Sequence, residues 1–301
     1  MKIAISGSHG LVGDYVRNGL RGEGHDVIRI IRRRRSDRAQ VVHYSVRDQT
    51  VDLLKLEGTH AVIHLAGEPI ANERWTPQKM KAIHDSRVEG TRLISEACAE
   101  VKLRPKVLLC ASAIGYYGDR GDELLDESSA PGEGFLANVC KEWEEATQPA
   151  VDAGIRVVNM RFGVILSAGG GALQKMIPPI KSGFGGRLGH GKQFMSWITL
   201  ADVARAIPFL LENKEIRGPV NMVSQDPVTN RDFTKVLASA LGRPALLPVP
   251  AAALRMMFGE MADETLLASQ QVIPKALIDA GFTFRHKDIV RAIDLLVNHN
   301  L

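Results

Sequence analysis

Short apolar runs and longer stretches of helical periodicity alternate along the first 160 residues. A short run of consecutive apolar residues is typical of a strand buried in a parallel sheet, whereas apolar residues spaced three and four apart indicate a helix. Strands that alternate with helices predict βαβ units, and therefore an α/β fold with a doubly wound parallel sheet. The predicted strands are residues 2–6, 26–31, 61–66, 106–111 and 156–160, and the predicted helices are 11–21, 76–100 and about 136–152.

The pattern changes after residue 166. Residues 167–193 are rich in glycine, contain the pair Pro178-Pro179 and show little periodicity, which indicates a loop-rich region. Helical spacing returns after Thr199, a suitable N-cap, and continues in the tail. We predict one domain from residues 1–175 plus 196–222, and a smaller, mostly helical lobe from 176–195 plus 223–301.

The composition is that of an ordinary globular protein. Its 45% hydrophobic and 24% charged residues exclude a disordered or collagen-like chain, and a net charge of +4 does not by itself indicate nucleic-acid binding. Three cysteines, Cys98, Cys110 and Cys140, are too few for a disulfide framework, so we expect a reducing, cytoplasmic location. No apolar run reaches the roughly 18 residues of a membrane span, and the first residues lack a signal-peptide pattern, so we expect no membrane association.

Residues 7–13 read Gly-Ser-His-Gly-Leu-Val-Gly and join the first predicted strand to the first predicted helix. In this context, the first glycine allows a tight turn, the second lets the backbone approach a pyrophosphate, and the third lets the helix pack close to the sheet. The helix N-terminus then presents free N–H groups to the phosphates. The segment therefore predicts a dinucleotide site.

The end of the second strand indicates which dinucleotide is bound. NAD-specific sites carry a carboxylate there for the ribose 2′-hydroxyl, but this chain continues from Ile31 into four arginines, residues 32–35. Arg32 and a following arginine could hold a 2′-phosphate by charge-assisted hydrogen bonds, which predicts NADP(H). Alternatively, these arginines form a solvated turn, or a nucleic-acid patch over residues 29–38, which we rank lower.

Read together with the glycine loop, four later segments resemble the extended short-chain dehydrogenase/reductase superfamily. They are His64–Pro69, Ser112–Gly118, Arg161–Leu166 and Trp197–Ala204. The order of Gly67-Glu68-Pro69-Ile70, Arg74-Trp75 and the glycine-rich stretch 185–193 is similar to an atypical subgroup described as epimerase family proteins or NAD-dependent epimerase/dehydratases. Members carry a C-terminal domain of unknown function, which would correspond here to Pro248 through about Leu296.

The resemblance implies a Rossmann-type domain that binds NADP(H), and a homodimer, as is frequent in the superfamily. It does not supply a settled reaction, and the small-molecule substrate stays unknown. Arg87 occupies a position where ordinary members have asparagine, so it could reach the cofactor or a substrate anion. The predicted cofactor-binding residues are Gly7, Ser8, Gly10, Leu11, Val12, Gly13, Ile31, Arg32, Arg33, Leu65, Ala66, Gly67, Glu68, Arg87 and Ile165.

The superfamily's catalytic pair, a tyrosine with a lysine four residues later, is incomplete. If Lys141 is the lysine, the tyrosine position holds Ala137, and a register shifted by one pairs Leu136 with Cys140. An alanine or leucine cannot donate a proton, so another group must replace the tyrosine or the usual reaction does not occur. The candidate substitutes are Tyr116, Tyr117, Glu68 and His190, and Ser112 or its neighbour Ala113 takes the place of the superfamily's serine.

We predict Ser112, Tyr116 and Lys141 as catalytic residues, and no metal site because zinc-ligand spacings are absent. Two functions follow. The first is an NADP(H)-dependent oxidoreductase or nucleotide-sugar epimerase-like enzyme that lacks the usual tyrosine. The second is an NADP(H)-binding regulatory or sensor protein without turnover, in which the nucleotide shifts a conformational or partner equilibrium.

Overall fold

An eight-stranded sheet forms the centre of the computed structural model, which describes residues 1–32, 41–183, 185–245 and 247–298. The strand order is β12-β8-β6-β5-β1-β2-β3-β4, and every pair is parallel except β3 with β4. The strands are β1 (Lys2–Ser6), β2 (Asp26–Ile31), β3 (Val41–Ser45), β4 (Thr50–Val51), β5 (Ala61–His64), β6 (Val107–Ala113), β8 (Arg156–Phe162) and β12 (Gly218–Met222).

Helices cover both faces of the sheet. On one face, α1 (Leu11–Gly22) and α7 (Leu200–Glu212) pack over the apolar side chains of the central strands. On the other face, α2 (Leu53–Leu56), α3 (Pro77–Glu100) and α5 (Gln148–Asp152) form a second apolar layer. These two layers confirm the predicted α/β fold with a doubly wound parallel sheet.

The remaining elements are short and lie mostly towards the C-terminus. A 3-10 turn, Ile114–Tyr117, follows β6, and a π-helical turn, Ala262–Leu266, follows α9. The strands are β7 (Leu124–Leu125), β9 (Val164–Ser167), β10 (Phe194–Met195), β11 (Trp197–Thr199), β13 (Val228–Thr229) and β14 (Gln271–Val272). The helices are α4 (Phe135–Glu145), α6 (Gly171–Lys181), α8 (Asn230–Ala240), α9 (Ala251–Phe258), α10 (Lys275–Asp279) and α11 (Ile289–Asn298).

The prediction of loops over residues 167–193 is wrong for part of that stretch, because α6 lies within it. Proline usually ends a helix, since it lacks an N–H donor and clashes with the preceding turn. Here Pro178 and Pro179 lie close to the C-terminal end of α6, and Ser182 N still donates to Pro178 O at 3.0 Å. The glycines before α6 form a tight antiparallel return onto β9 through the bridge Leu166–Gly171.

Several elements differ from the prediction in their bounds or in number. The helix predicted over 136–152 is two helices, α4 and α5, and strands β3 and β4 were not predicted. Leu277, Phe282 and Phe284 pack in the same apolar layer as Ile3 of β1, so part of the C-terminal segment completes the core of the sheet.

The predicted division into two domains stays a prediction. None of the helices within the described ranges combines the length and apolarity that a bilayer crossing requires.

Candidate active site

The glycine loop between β1 and α1 is built for close backbone approach. Gly7 has a φ of +67°, and a Cβ there would lie 2.7 Å from the carbonyl carbon of Leu65. Gly10 N donates to Gly7 O at 2.9 Å, and a Cβ at Gly13 would overlap that same carbonyl oxygen. Side chains at Gly7 and Gly13 would push the helix away from the sheet, so these two glycines are required by the packing of the loop, whereas a Cβ at Gly10 would meet only Gly7 O, at 3.3 Å.

This loop leaves polar groups for a ligand. No side chain caps the N-terminus of α1, so the N–H groups of its first turn have no intrahelical acceptor. The Ser8 hydroxyl is buried and has no hydrogen-bond partner among the described residues. Leu11 and Val12 lie in the first turn of α1 and are partly exposed. An uncapped helix start behind a glycine turn fits a pyrophosphate.

A buried Ser6–His64 pair fixes the ends of β1 and β5 beside this loop. Ser6 Oγ accepts hydrogen bonds from the backbone N–H groups of Leu65 and Ala66, at 3.1 and 3.2 Å. Its single proton is therefore donated to Nδ1 of His64, 2.7 Å away, and the imidazole is neutral. Burial lowers the pKa of His64 to about 4, in agreement with that assignment. The hydrogen bonds to Ser6 thus fix the backbone of Leu65 and Ala66, two of the predicted cofactor-binding residues.

The end of β2 places Arg32 at the surface. Ile31 is half-buried, and Arg32 is exposed close to Tyr44 of β3. Burial raises the pKa of Tyr44, and the charge of Arg32 offsets part of that rise. The structure thus places a cation beside the end of β2. Arg33, predicted as a second phosphate ligand, lies outside the described residues.

Glu68 and Arg87 meet after β5. Arg87 Nη1 donates to the Glu68 carbonyl at 3.0 Å, its guanidinium lies beside Gly67, and it stacks on the Trp143 ring at 5.1 Å. The Glu68 carboxylate accepts from Lys79 Nζ at 2.7 Å, and hydrogen bonds to Glu68 and Glu73 raise the pKa of Lys79. Glu68 and Arg87 thus both contribute to the shape of the loop after β5.

A buried charged network joins β6, β8 and α4. Arg161 forms a two-pronged ion pair with Glu144, with Nε–Oε1 at 2.7 Å and Nη2–Oε2 at 2.8 Å. Ser112 Oγ donates to Glu144 Oε1 at 2.7 Å, and Arg161 Nη1 donates to the Tyr117 hydroxyl at 2.9 Å. Burial alone would lower the pKa of Arg161, but the bonds to Glu144 raise it overall. The hydroxyl proton of Ser112, a predicted catalytic residue, is therefore donated to Glu144 within the protein.

Tyr116 and Tyr117 differ in their surroundings. Tyr117 is fully buried, donates within the network to Asn221 Oδ1 at 2.8 Å, and has a pKa raised by burial to about 12. Tyr116 is half-buried, and the guanidinium of Arg161 lies 3.5 Å from its ring centroid. The Tyr116 hydroxyl forms no hydrogen bond with any described residue. Of the two tyrosines, Tyr116 is therefore the one with a proton available to a ligand.

The orientation of α4 decides between the two registers of the missing tyrosine–lysine pair. A Cβ at Gly115, in the turn after β6, would lie 3.5 Å from Leu136 Cβ and 3.7 Å from Cys140 Sγ. Leu136 and Cys140 thus face the end of β6, whereas Lys141 is exposed and its side chain has no partner among the described residues. Burial raises the pKa of the Cys140 thiol to about 12. The catalytic role of Lys141 stays a prediction.

The C-terminal segment packs on the N-terminus of α4. Leu136 lies in an apolar cluster with Trp75, Ile83 and Met261. Glu264, in the π-helical turn, accepts hydrogen bonds from the backbone N–H groups of Phe135 and Leu136, both at 3.0 Å. A carboxylate at a helix N-terminus compensates the helix dipole as well as the free N–H groups. Apolar packing and this cap therefore surround Leu136, one of the two residues considered above for the position of the usual tyrosine.

A cleft of about 340 Å³ opens between the turn after β6 and the C-terminal segment. The residues that line it include Gly115, Glu133, Glu264 and His190, which is one of the candidate proton carriers given above.

Ile165 of β9, predicted to contact the nicotinamide side, is half-buried and pairs with Ile198 of β11. Among the described residues, no three His, Cys, Asp or Glu side chains come together as metal ligands.

Sequence reasoning missed Glu144 and Glu264. Both lie on helical turns among many charged residues, and their partners are distant in sequence, at Arg161 and at residues 135–136. The one available signal was Arg161 itself, a charged residue inside a strand that otherwise reads as buried, and such a residue requires a buried carboxylate partner.

Comparison with known proteins assigns the family. Residues 3–222 match the model of the NAD dependent epimerase/dehydratase family. The chain belongs to that family. Residues 249–296 match a further model, described only as a domain of unknown function.

Full-length relatives share both parts of this epimerase/dehydratase-family chain. An epimerase family protein of Mycobacterium bovis is 42% identical over 291 residues, covering 97% of this chain and 96% of the relative. The crystal structure of human epimerase family protein SDR39U1 with NADPH has a TM-score of 0.90 and 30% identity, covering both chains fully. A nucleoside-diphosphate sugar epimerase from Corynebacterium glutamicum has a TM-score of 0.81 and 35% identity, and the chain covers 59% of it.

Proposed function

We propose that this chain binds NADP(H) across the carboxyl ends of β1, β2 and β5. The observation that carries the proposal is the glycine turn before the uncapped start of α1, where Gly7 and Gly13 leave no room for a Cβ and so bring the loop and the helix start close to the ends of β1 and β5. The human relative crystallised with NADPH, at 30% identity over the whole chain, supports the same cofactor. Arg32, exposed at the end of β2 where a carboxylate would favour NAD, would hold the 2′-phosphate.

A titration of the full chain with NADPH and, separately, with NADH tests this proposal. A guanidinium on the 2′-phosphate contributes roughly 1.5–3 kcal/mol, so NADPH should bind about tenfold to a hundredfold more tightly. Arg32→Ala should remove most of the difference, whereas Lys102→Ala, which changes an exposed cation elsewhere, should preserve it. Equal affinities of the unaltered protein for the two nucleotides would contradict the role of Arg32.

We further propose an oxidoreductase or epimerase-like reaction with Tyr116 as the proton carrier. The bound nicotinamide would supply hydride transfer, and the chain would supply binding, orientation and the proton. Tyr116 is half-buried at the end of β6, its hydroxyl has no partner among the described residues, and Arg161 stacks on its ring. Ser112, whose hydroxyl is bound to Glu144, would position Glu144 and through it Arg161.

The test is NADPH oxidation with a panel of carbonyl compounds and nucleotide sugars. Tyr116→Phe should abolish turnover and leave NADPH affinity unchanged, because the hydroxyl is removed but the stacked ring is kept. Lys141→Ala should change neither, since Lys141 is exposed. Activity of Tyr116→Phe equal to that of the unaltered protein would refute this assignment.

The packing around Leu136 favours a second candidate, an NADP(H)-binding sensor without turnover. The usual tyrosine position is filled by an apolar cluster and by the Glu264 cap, so the N-terminus of α4 offers no proton. Tight NADPH binding without oxidation by any compound of the panel would support this candidate. A homodimer and the absence of nucleic-acid partners stay predictions, which light scattering and an oligonucleotide titration would test.

A further inference from the structure

A groove of about 580 Å³ lies outside the proposed cofactor site, between α8 and the chain that follows it. Its rim carries Arg187, Arg231, Lys235 and Arg243, and we call it the basic groove. Its floor includes alanine and proline side chains, among them Ala238 and Pro244. The basic groove thus combines an apolar floor with a cationic rim.

The four cations have no compensating charge. No aspartate or glutamate lines the basic groove, and none of the four side chains forms an ion pair or hydrogen bond with a described residue. Three other cations near the surface are paired with carboxylates, as Arg120–Glu123, Arg255–Asp263 and Lys275–Asp279. Unpaired like charges around one concavity repel one another, and a bound anion would relieve that repulsion.

The framework of the basic groove is fixed by backbone and side-chain hydrogen bonds. Arg231 N donates to Gly191 O at 2.9 Å, and Leu188 N donates to Asn230 Oδ1 at 2.7 Å. These bonds join the start of α8 to the loop of residues 187–191. The backbone positions from which Arg187 and Arg231 extend are therefore fixed relative to each other.

The size and chemistry of the basic groove select the ligand. Its volume lies in the range of small-molecule sites, roughly 300–1,000 Å³. Arginine forks bind phosphate oxygens in pairs, and an apolar floor suits a flat ring. We propose that the basic groove binds a phosphorylated organic molecule of nucleotide size, at a second site that is separate from the NADP(H) site.

The second site would adjoin the cleft described above. The loop of residues 187–191 contributes Arg187 to the basic groove, whereas Gly189 and His190 line the cleft beside Glu264. A ligand that draws Arg187 towards its phosphate would therefore act on the loop that carries His190. The proposal does not depend on Tyr116 or on turnover.

Calorimetric titration of the full chain, with saturating NADPH and again without it, tests the basic groove. The probes are ATP, inorganic pyrophosphate and adenosine. ATP and pyrophosphate should bind saturably in both conditions, and adenosine should bind far more weakly because it lacks phosphate. Arg231→Gln with Arg243→Gln should weaken ATP binding about a hundredfold, one factor of ten for each lost charge-assisted contact. Lys102→Gln with Lys214→Gln, two exposed cations elsewhere, is the matched control.

Several results would overturn the proposal. They are the absence of saturable ATP binding to the NADPH-saturated protein, equal ATP affinity in the groove variant and the control, and adenosine binding as tightly as ATP. Binding of a single-stranded oligonucleotide but not of ATP would assign the surface to a macromolecule instead. Failure of NADPH to bind would contradict the proposed cofactor but not the second site, because the titration without NADPH still compares the groove variant with its control.

Discussion

Replacing Glu144 by leucine should strongly destabilise the protein, because it leaves a buried charge without a partner. The Arg161 side chain is 3% exposed, and Glu144 receives two of its hydrogen bonds. Ser112, also buried, loses its acceptor in the same variant. Removal of one member of a buried ion pair costs about 3–5 kcal/mol, a large fraction of a total stability of roughly 5–15 kcal/mol.

The second arm of this experiment removes the charge as well. Glu144→Leu combined with Arg161→Met replaces the ion pair by apolar side chains of similar length, and such exchanges are often close to neutral. We expect the double variant to be more stable than Glu144→Leu alone. The exposed pair Arg120–Glu123 has similar distances, yet Glu123→Gln should cost less than about 1 kcal/mol because solvent screens it.

Urea unfolding followed by tryptophan fluorescence measures these differences by linear extrapolation. Trp143 lies one residue before Glu144 and is buried, so it reports on the loss of packing at this point. The reasoning would be refuted if Glu144→Leu cost no more than Glu123→Gln, or if the double variant were no more stable than Glu144→Leu alone.

Three further predictions follow from single positions. Gly13→Ala should abolish NADPH binding, measured by nucleotide titration, because the new Cβ overlaps Gly7 O. Gly19→Ala in the same helix has open space around it and should raise the free energy of unfolding of the protein, measured with urea, by about 1 kcal/mol. Burial lowers the pKa of His64 from its ordinary 6.5 to about 4 in the folded chain. About 3 kcal/mol of stability, present above pH 6.5, should therefore be lost as the pH falls towards 4, and His64→Asn should flatten that part of a stability–pH curve. Glu264→Ala removes two hydrogen bonds to the start of α4 and should lower the free energy of unfolding by about 1–2 kcal/mol, which a Glu264→Gln variant should partly restore.

The sequence predicted features that depend on local pattern. The first βαβ unit was predictable because a buried strand, a glycine turn and an amphipathic helix each leave a signature within a few residues. Helix α6 was not, because a glycine run and two prolines usually break a helix, and only the position of the prolines near its end makes them tolerable.

The sequence predicted the cofactor loop of the candidate site better than it predicted the surroundings of the catalytic candidates. The two registers of α4 could not be separated from the sequence, because the orientation of the helix depends on how Leu136 and Cys140 pack against Gly115. The pair Glu144–Arg161 spans two elements whose closeness is a property of the sheet order. Such contacts form only in the folded chain, and a single sequence carries no record of them.

The contribution of Leu277, Phe282 and Phe284 to the core beneath the sheet has a consequence for dissecting this protein. The two segments that match separate family models, 3–222 and 249–296, both contribute to this core. They are also joined by hydrogen bonds, because Asp202 in the first accepts from the backbone of Arg285 and His286 in the second. A fragment that ends at residue 222 would expose that apolar surface to water and leave the buried carboxylate of Asp202 without two of its donors. The boundary between the two family matches therefore runs through a shared apolar cluster, and a cut at that point would damage the packing of both segments.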